Sequence, residues 1–491
     1  MSDRRRLDFL LLALCTIAAV LVHGYHPAVE DASIYLPGIE KTLNPSLFPH
    51  NSAFFMSHAH MTLFPNLVAA FVRITHLPLD WALLALHLVT IFFLLLGCLK
   101  VGRMMFRSAL APWGGVALVA GLLTIPVAGT ALYIFDEYLN PRSISVPAVL
   151  FLVIAAYQRR WIVCVLLAIF AATVHPLMAA FGIAYIVLSA LLARGSKSST
   201  PLPSASSASA LALLPFGLSA PLTDAYRQIL QGNTYFSVLN WEWYEWLGAL
   251  APLALLWWFH RIGQKTSQPG LDRVSRDLAI FGAIFTLAAL VINLPQRFSS
   301  LMLLQPMRAF HLIYIFFFAI SGGLLADYVL KNRAWRWLLL FVPLCGGMWL
   351  KQHDIFESTH HLELPGREPS SDWEEAFRWI RVNTPTDAYF ALDPQHMNLP
   401  GEDQHGFRAI AERSMLADAV KDRSAMSMFP AMAETWKKQA DAQRDWEHFG
   451  ASDFGRLRSE FGVDWVVLKR PGVVGLDCPH QNATLLVCRV Q

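Results

Sequence analysis

The sequence predicts an α-helical polytopic membrane protein, with about eleven transmembrane helices followed by a C-terminal α/β domain. Three observations carry that prediction. Of the 491 residues, 55% are hydrophobic and 15% charged, against roughly 25% charged in an ordinary soluble domain. Long apolar runs recur through residues 1–350, and basic residues gather in every second loop between them. The composition excludes a soluble enzyme, and the mean hydropathy of +0.41 excludes intrinsic disorder. A net charge of +3 is too small for a nucleic-acid binder.

The first run, 7–22, follows Arg4, Arg5 and Arg6 as it would in a signal peptide. His23-Gly24-Tyr25-His26-Pro27 lacks the small residues a signal peptidase needs, so the run is expected to remain as the first crossing, with a cytoplasmic N-terminus. Further crossings are expected at 81–99, 113–133, 144–157, 161–174, 177–192, 208–220, 246–259, 278–292, 310–326 and 337–350. Alternate loops then hold seventeen Lys and Arg residues on the cytoplasmic side. Only six fall on the opposite side: Lys41, Arg73, Arg142, Arg227, Arg297 and Arg308.

An odd number of crossings divides the chain into a transmembrane part, 1–350, and a soluble non-cytoplasmic domain, 351–491, periplasmic or extracellular. Within that domain Ser371-Asp372-Trp373-Glu374 forms a capping box opening a helix through Arg381, and 388–392, 465–468 and 485–490 read as strands. Cys478 and Cys488 either close a loop of about ten residues there or stay as thiols. The other cysteines lie in apolar runs, where a small buried thiol is the ordinary reading. Residues 195–209, rich in Ser, Thr, Pro and Ala, read as a flexible cytoplasmic linker.

Ionisable residues near hydrocarbon are costly, so function is sought where they collect. Glu30 and Asp31 follow the first run in a long external loop, and Phe135-Asp136-Glu137-Tyr138-Leu139-Asn140-Pro141-Arg142 lies in the next one. Four carboxylates on one side are expected either to bind a divalent cation or to supply a base whose pKa its neighbours raise; loop solvation is the alternative. The stretch 161–192 is too short for two full crossings and predicts a hairpin with its tip, His175-Pro176, below the outer surface. There His175 either bonds a substrate or caps a helix. Arg308, at the start of the 310–326 run, suits a lipid or carrier phosphate, or snorkels to ordinary phospholipid. Residues 53–76, with His58, His60 and Arg73, read as an amphipathic interfacial helix, and histidines two apart point away from each other.

This layout resembles the GT-C superfamily of integral-membrane glycosyltransferases, which use polyprenyl-phosphate-linked sugars on the non-cytoplasmic side. The resemblance covers residues 7–350 and rests on an acid in a long first external loop beside an interfacial helix, with a second acidic motif in the next loop. It implies that Asp31, with Glu30, is the base or metal ligand, that Asp136 and Glu137 complete the site, and that Arg308 lies near the carrier phosphate. A divalent cation, Mg or Mn, would be held by Asp31, Asp136 and Glu137, while Arg308, Arg297, Arg142 and His175 would bind substrate.

The function expected is therefore transfer of a sugar from a polyprenyl-phosphate donor to an acceptor outside the cytoplasm, within the cell envelope. The partners expected are the lipid-linked donor and membrane lipids, with no nucleic acid. A non-catalytic transporter or lipid-binding component of an envelope assembly is the alternative, and it predicts charges near the bilayer midplane, which the runs almost lack. No acceptor-recognition motif of the oligosaccharyltransferase type is found in 351–491.

Overall fold

The computed structural model describes residues 3–195, 223–231, 233–293 and 301–490. The run expected at 208–220, most of the expected linker, and Arg297 lie outside the described residues. The helices of the first half are α1 (Asp3–His23), α2 (Ala32–Leu43), α3 (Ala53–Met61), α4 (Phe64–Thr75), α5 (Leu79–Met105), α6 (Ala111–Ala120), α7 (Pro141–Tyr157), α8 (Trp161–Val174) and α9 (Pro176–Gly195). They are followed by α10 (Asp224–Gln231), α11 (Trp243–Lys265), α12 (Pro269–Asn293), α13 (Phe310–Leu325) and α14 (Ala334–Ile355). Among the described residues five segments are long and apolar enough to cross a membrane: Arg5–His23, Leu79–Met105, Pro176–Ala193, Pro269–Asn293 and Leu301–Leu330. Their outer surfaces carry exposed Leu, Ile, Phe and Trp side chains, such as Leu14, Phe93 and Leu287, that only hydrocarbon would solvate well. The protein is a mostly helical membrane protein.

Local chemistry explains several boundaries. The run expected as one helix at 113–133 is helical only to Ala120. The chain then turns at Gly121, and Pro126, which has no amide hydrogen to continue a helix, bridges to Tyr133 instead. The predicted hairpin tip is present, since α8 stops at Val174 and Pro176 opens α9 with its missing donor at a position that needs none. At the start of α7, Asn140 accepts from the Ser143 amide at 2.9 Å, and Pro141 occupies the first turn. The expected interfacial helix over 53–76 forms as two, α3 and α4, broken at Thr62-Leu63. Helices α6 and α13 approach closely because Gly114 and Gly322 face each other, and a Cβ on either would run into the other's backbone.

The chain after α14 adds α15 (Asp372–Asn383), α16 (Phe407–Ala411), α17 (Lys421–Met426), α18 (Ala433–Ala442) and α19 (Ala451–Phe461) around a sheet. Its strands are β1 (Tyr389–Leu392), β2 (Ser414–Met415), β3 (Trp465–Lys469), β4 (Asp477–Gln481) and β5 (Leu485–Arg489), ordered β2-β1-β3-β5-β4. β1 pairs in parallel with β2 and β3, whereas β5 runs antiparallel to β3 and β4. Ser371 caps α15 by accepting from the Glu374 amide at 3.1 Å, but the Glu374 carboxylate takes the Ser370 amide at 3.0 Å in place of the Ser371 amide, so the expected capping box forms only in part. Cys478 is disulfide-bonded to Cys488 across β4 and β5.

The sheet-bearing part shares its core with the early loop helices. Leu36, Ile39, Phe64 and Val68 pack in one cluster with Phe377, Ile380 and Phe407. A second cluster joins Phe48, Phe54 and Phe55 to Ile229, Met426 and Trp436. At roughly 1.5–3 kcal/mol for each fully buried large side chain, these shared clusters are a substantial part of what fixes the C-terminal region on the helices.

Candidate functional site

Residues Gly24 to Asp31 leave α1 as an extended thread stitched to three other segments. The Tyr25 amide donates to the His361 carbonyl at 3.0 Å, and the Glu363 amide returns a bond to Tyr25 at 2.9 Å. The His26 amide donates to the Glu137 carbonyl at 3.0 Å, the Gly406 amide to Ala28 at 2.9 Å, and the Glu30 amide to Gln404 at 3.0 Å. Buried side chains reinforce the stitching: Glu363 Oε1 lies 2.7 Å from His26 Nδ1 and 3.0 Å from His405 Nε2. Burial opposes the charge on His405, but the Glu363 carboxylate outweighs it and raises the imidazole to about 10.

This thread leads Glu30 and Asp31 to the start of α2. Lys421, at the start of α17, meets both: its Nζ is 3.0 Å from Asp31 Oδ1 and is also ion-paired with Glu30 Oε2. The Asp31 amide donates to the Tyr138 hydroxyl at 3.2 Å. Asp31 remains reachable, with its side chain 40% exposed against 13% for Lys421. Burial would raise the Asp31 carboxyl, but the Lys421 ammonium, seconded by Arg142 and Arg308, holds it down at about 2.

The second acidic pair divides. Asp136 is buried and accepts from Arg142 Nη2 at 2.5 Å and from Asn140 Nδ2 at 2.6 Å. Glu137 is buried and takes a hydrogen bond from the Gln352 side chain of α14. Burial, with Asp136 beside it, raises the Glu137 carboxyl to about 8, so it keeps its proton at neutral pH.

Arg308 stands in a single turn, Pro306–Ala309, that leads into α13, with its guanidinium 5.0 Å over the Tyr235 ring. It lies within electrostatic range of Asp31, Arg142 and Tyr35. Among the described residues it makes no ion pair with a carboxylate, and the buried Nε atoms of Arg308 and Arg142 have no hydrogen-bond partner. A cavity of about 10 Å³, room for roughly one water, adjoins Arg308 and His311 between Val146, Val149 and Phe181. His175 is an electrostatic neighbour of Arg142 and Arg308, and its Nδ1 accepts from the Met178 amide at 3.4 Å, capping α9.

The structure thus brings Asp31, Glu30, Asp136, Arg142, Arg308 and His175 around one site, with Glu137 bonded toward α14 beside it. The sequence reading missed Lys421, Tyr35, Tyr138 and Tyr235. Tyr138 was in view within the acidic segment but carried no signal beyond being aromatic, and nothing near Lys421 distinguishes it from other basic residues.

A Mg²⁺ or Mn²⁺ ion takes about six oxygen ligands, of which one or two are typically free protein carboxylates and the rest waters and substrate phosphate. Among the described residues no three His, Cys, Asp or Glu side chains are gathered to hold a metal ion. Glu30 and Asp31 already face Lys421, and Asp136 faces Arg142, so these carboxylates are each taken up by a side-chain cation. These residues do not fit the cation expected from the sequence.

A family profile for a domain of unknown function, DUF6798, matches residues 371–426, a stretch that includes Lys421. No curated protein matches the chain. A solved structure, the archaeal oligosaccharyltransferase AglB from Archaeoglobus fulgidus in complex with an inhibitory peptide and a dolichol-phosphate, aligns over 95% of this chain and 70% of its own, at 13% identity and a TM-score of 0.35. At that similarity no activity passes from AglB to this chain.

Proposed function

We propose that this protein is a GT-C-like membrane glycosyltransferase that moves a sugar from a polyprenyl-phosphate-linked donor to a hydroxyl acceptor on the non-cytoplasmic side. One observation carries the reading: a half-exposed, ionised Asp31 stands within electrostatic range of two guanidinium groups, Arg142 and Arg308, whose buried Nε atoms lack partners. Unpaired buried donors with fixed positive charge are suited to an anionic group, and the fork of a guanidinium matches phosphate.

In this mechanism the acceptor hydroxyl attacks the anomeric carbon while the bond to the carrier phosphate breaks. The negative charge left on that phosphate is met by Arg308, placed before the reaction begins, while Arg142, held by Asp136, offers its unpartnered Nε beside it. The hydroxyl proton passes to Asp31. A carboxylate held near 2 is a weak base, but the attacking oxygen becomes strongly acidic as its new bond forms, so a late transfer suffices. Tyr138 accepts from the Asp31 amide and Tyr35 follows one turn later on α2, so two aromatic rings flank the carboxylate. The placement of 351–491 outside the cytoplasm is supported by the distribution of basic residues and by the Cys478–Cys488 bridge, a linkage that persists in oxidising compartments.

The test is mass spectrometry of lipid retained by purified protein from matched polyprenyl-phosphate and phospholipid mixtures, comparing wild type with Arg308→Ala. Selective retention of polyprenyl phosphate that the substitution abolishes is the expected result. Equal retention of ordinary phospholipid by both proteins rejects the donor assignment and leaves Arg308 as a lipid anchor.

A further inference from the structure

We infer that Lys421 is the resident cation of the Glu30–Asp31 pair, supplied by the C-terminal region in the position that a divalent ion would otherwise take. The first support is how firmly the lysine is held. Asp418 Oδ1 accepts from the Val420, Lys421 and Asp422 amides at 2.8, 2.6 and 3.0 Å, which fixes the first turn of α17. The next residue, Asp422, is gripped by both terminal nitrogens of buried Arg408 at 2.9 and 2.8 Å. The second support is the order of exposure. The Lys421 side chain is 13% exposed, the Glu30 side chain 34% and the Asp31 side chain 40%, so the ammonium sits behind the carboxylates while they keep an open side.

An ammonium in that position has consequences that a surface lysine does not. It neutralises the mutual repulsion of two adjacent carboxylates, and it repels any second cation that approaches them. It holds Asp31 ionised and oriented without occupying the open side, where an acceptor would bind. Lys421 is thus a positioning residue, and the reactive group at the start of α2 is completed by a side chain 390 positions away from Asp31. The catalytic part of this statement rests on the function proposed above. The seating of the cation does not.

Mn²⁺ is the probe, because its free-ion paramagnetic resonance signal falls on binding and needs no transfer assay. Full-length protein in detergent is titrated as wild type, Asp31→Asn, Lys421→Ala, Lys421→Arg, and Lys421→Ala combined with Glu30→Gln and Asp31→Asn. The inference expects weak Mn²⁺ binding in wild type that Asp31→Asn leaves unchanged. In Lys421→Ala it expects a gain in affinity of at least about tenfold, absent from Lys421→Arg and lost in the triple variant. Tight Mn²⁺ binding by wild type that Asp31→Asn abolishes overturns the inference, and so does the absence of any gain in Lys421→Ala. Should alanine fail to give a cooperative tryptophan-fluorescence melt, Lys421→Met retains the apolar stem and takes its place. The comparison of wild type with Asp31→Asn decides the point without any Lys421 variant. If no sugar transfer is found under any condition, the proposed function fails while the Mn²⁺ result stands.

Discussion

Glu30 holds its backbone at φ 53°, in the left-handed region where a residue with a Cβ is strained. The strain buys position, because it turns the chain out of the thread so that Glu30 and the following Asp31 present adjacent carboxylates to Lys421. Two substitutions separate the backbone from the charge. Both Glu30→Ala and Glu30→Gly remove the ion pair, but only glycine accepts this φ without cost, so Glu30→Gly is expected to be the more stable of the two by about 1 kcal/mol, read from denaturant melts in detergent. Equal stabilities remove the claim of strain. Asp31 makes a different prediction through its acidity. With its carboxyl held at about 2, it stays ionised through the range in which the protein can be assayed, so the transfer rate should show no acidic limb from this group down to about pH 4. Asp31→Asn should abolish transfer. A limb near pH 4 in the wild-type profile would mean that a carboxylate of ordinary acidity, and not Asp31 as placed here, receives the proton.

At the scale of elements, stability and site geometry meet in the thread after α1. The 359–363 and 402–406 segments that the thread contacts are themselves joined by the buried Glu363–His405 ion pair. The folded imidazole titrates at about 10 and the unfolded one near 6.5, so the folded protein binds the extra proton between those values. The stabilisation is full below about pH 6.5 and is lost as pH rises toward 10. Melting temperature should therefore fall across that window in wild type and fall less in His405→Gln, which keeps a hydrogen bond but no charge. A parallel decline in both proteins would locate the alkaline sensitivity elsewhere. The α6–α13 contact supplies a test of packing alone. Gly322→Ala pushes a methyl group against the Gly114 backbone, and overpacking of this kind costs about 1–3 kcal/mol, with no change expected in lipid selectivity, since the contact lies away from Arg308.

For the molecule as a whole, the parts legible in the sequence are those set by local chemistry. Apolar runs and their basic flanks mark a membrane protein, Pro176 marks the hairpin tip, and Ser371 with Glu374 marks the start of α15. The acids of the site were visible for the same reason, since Glu30 and Asp31 follow closely on the first apolar run and Asp136 stands in a short polar interruption of apolar sequence. What escaped is long-range. Lys421 becomes a partner of Asp31 only when the C-terminal region docks on α2 and α3, and the two-residue strand β2 exists only through its pairing with β1. The helix end at Ala120 escaped because an apolar run does not reveal whether Pro126 will kink a helix or end one. Docking also ties sidedness to the site: the segment holding Lys421 and the segment holding Asp31 must share one face of the membrane, so wherever the C-terminal region lies, the reaction lies too. The cysteines make this measurable. Cys15, Cys98, Cys164 and Cys345 all sit within apolar helices, whereas Cys478 and Cys488 are bridged in the C-terminal region. In spheroplasts, a membrane-impermeant maleimide polymer should leave the protein unshifted until a reductant is added, and then shift it by the two released thiols without lysis. Labelling that requires lysis, with or without reductant, places the bridge-bearing region in the cytoplasm and moves Asp31, Arg308 and the whole proposed transfer to that side with it.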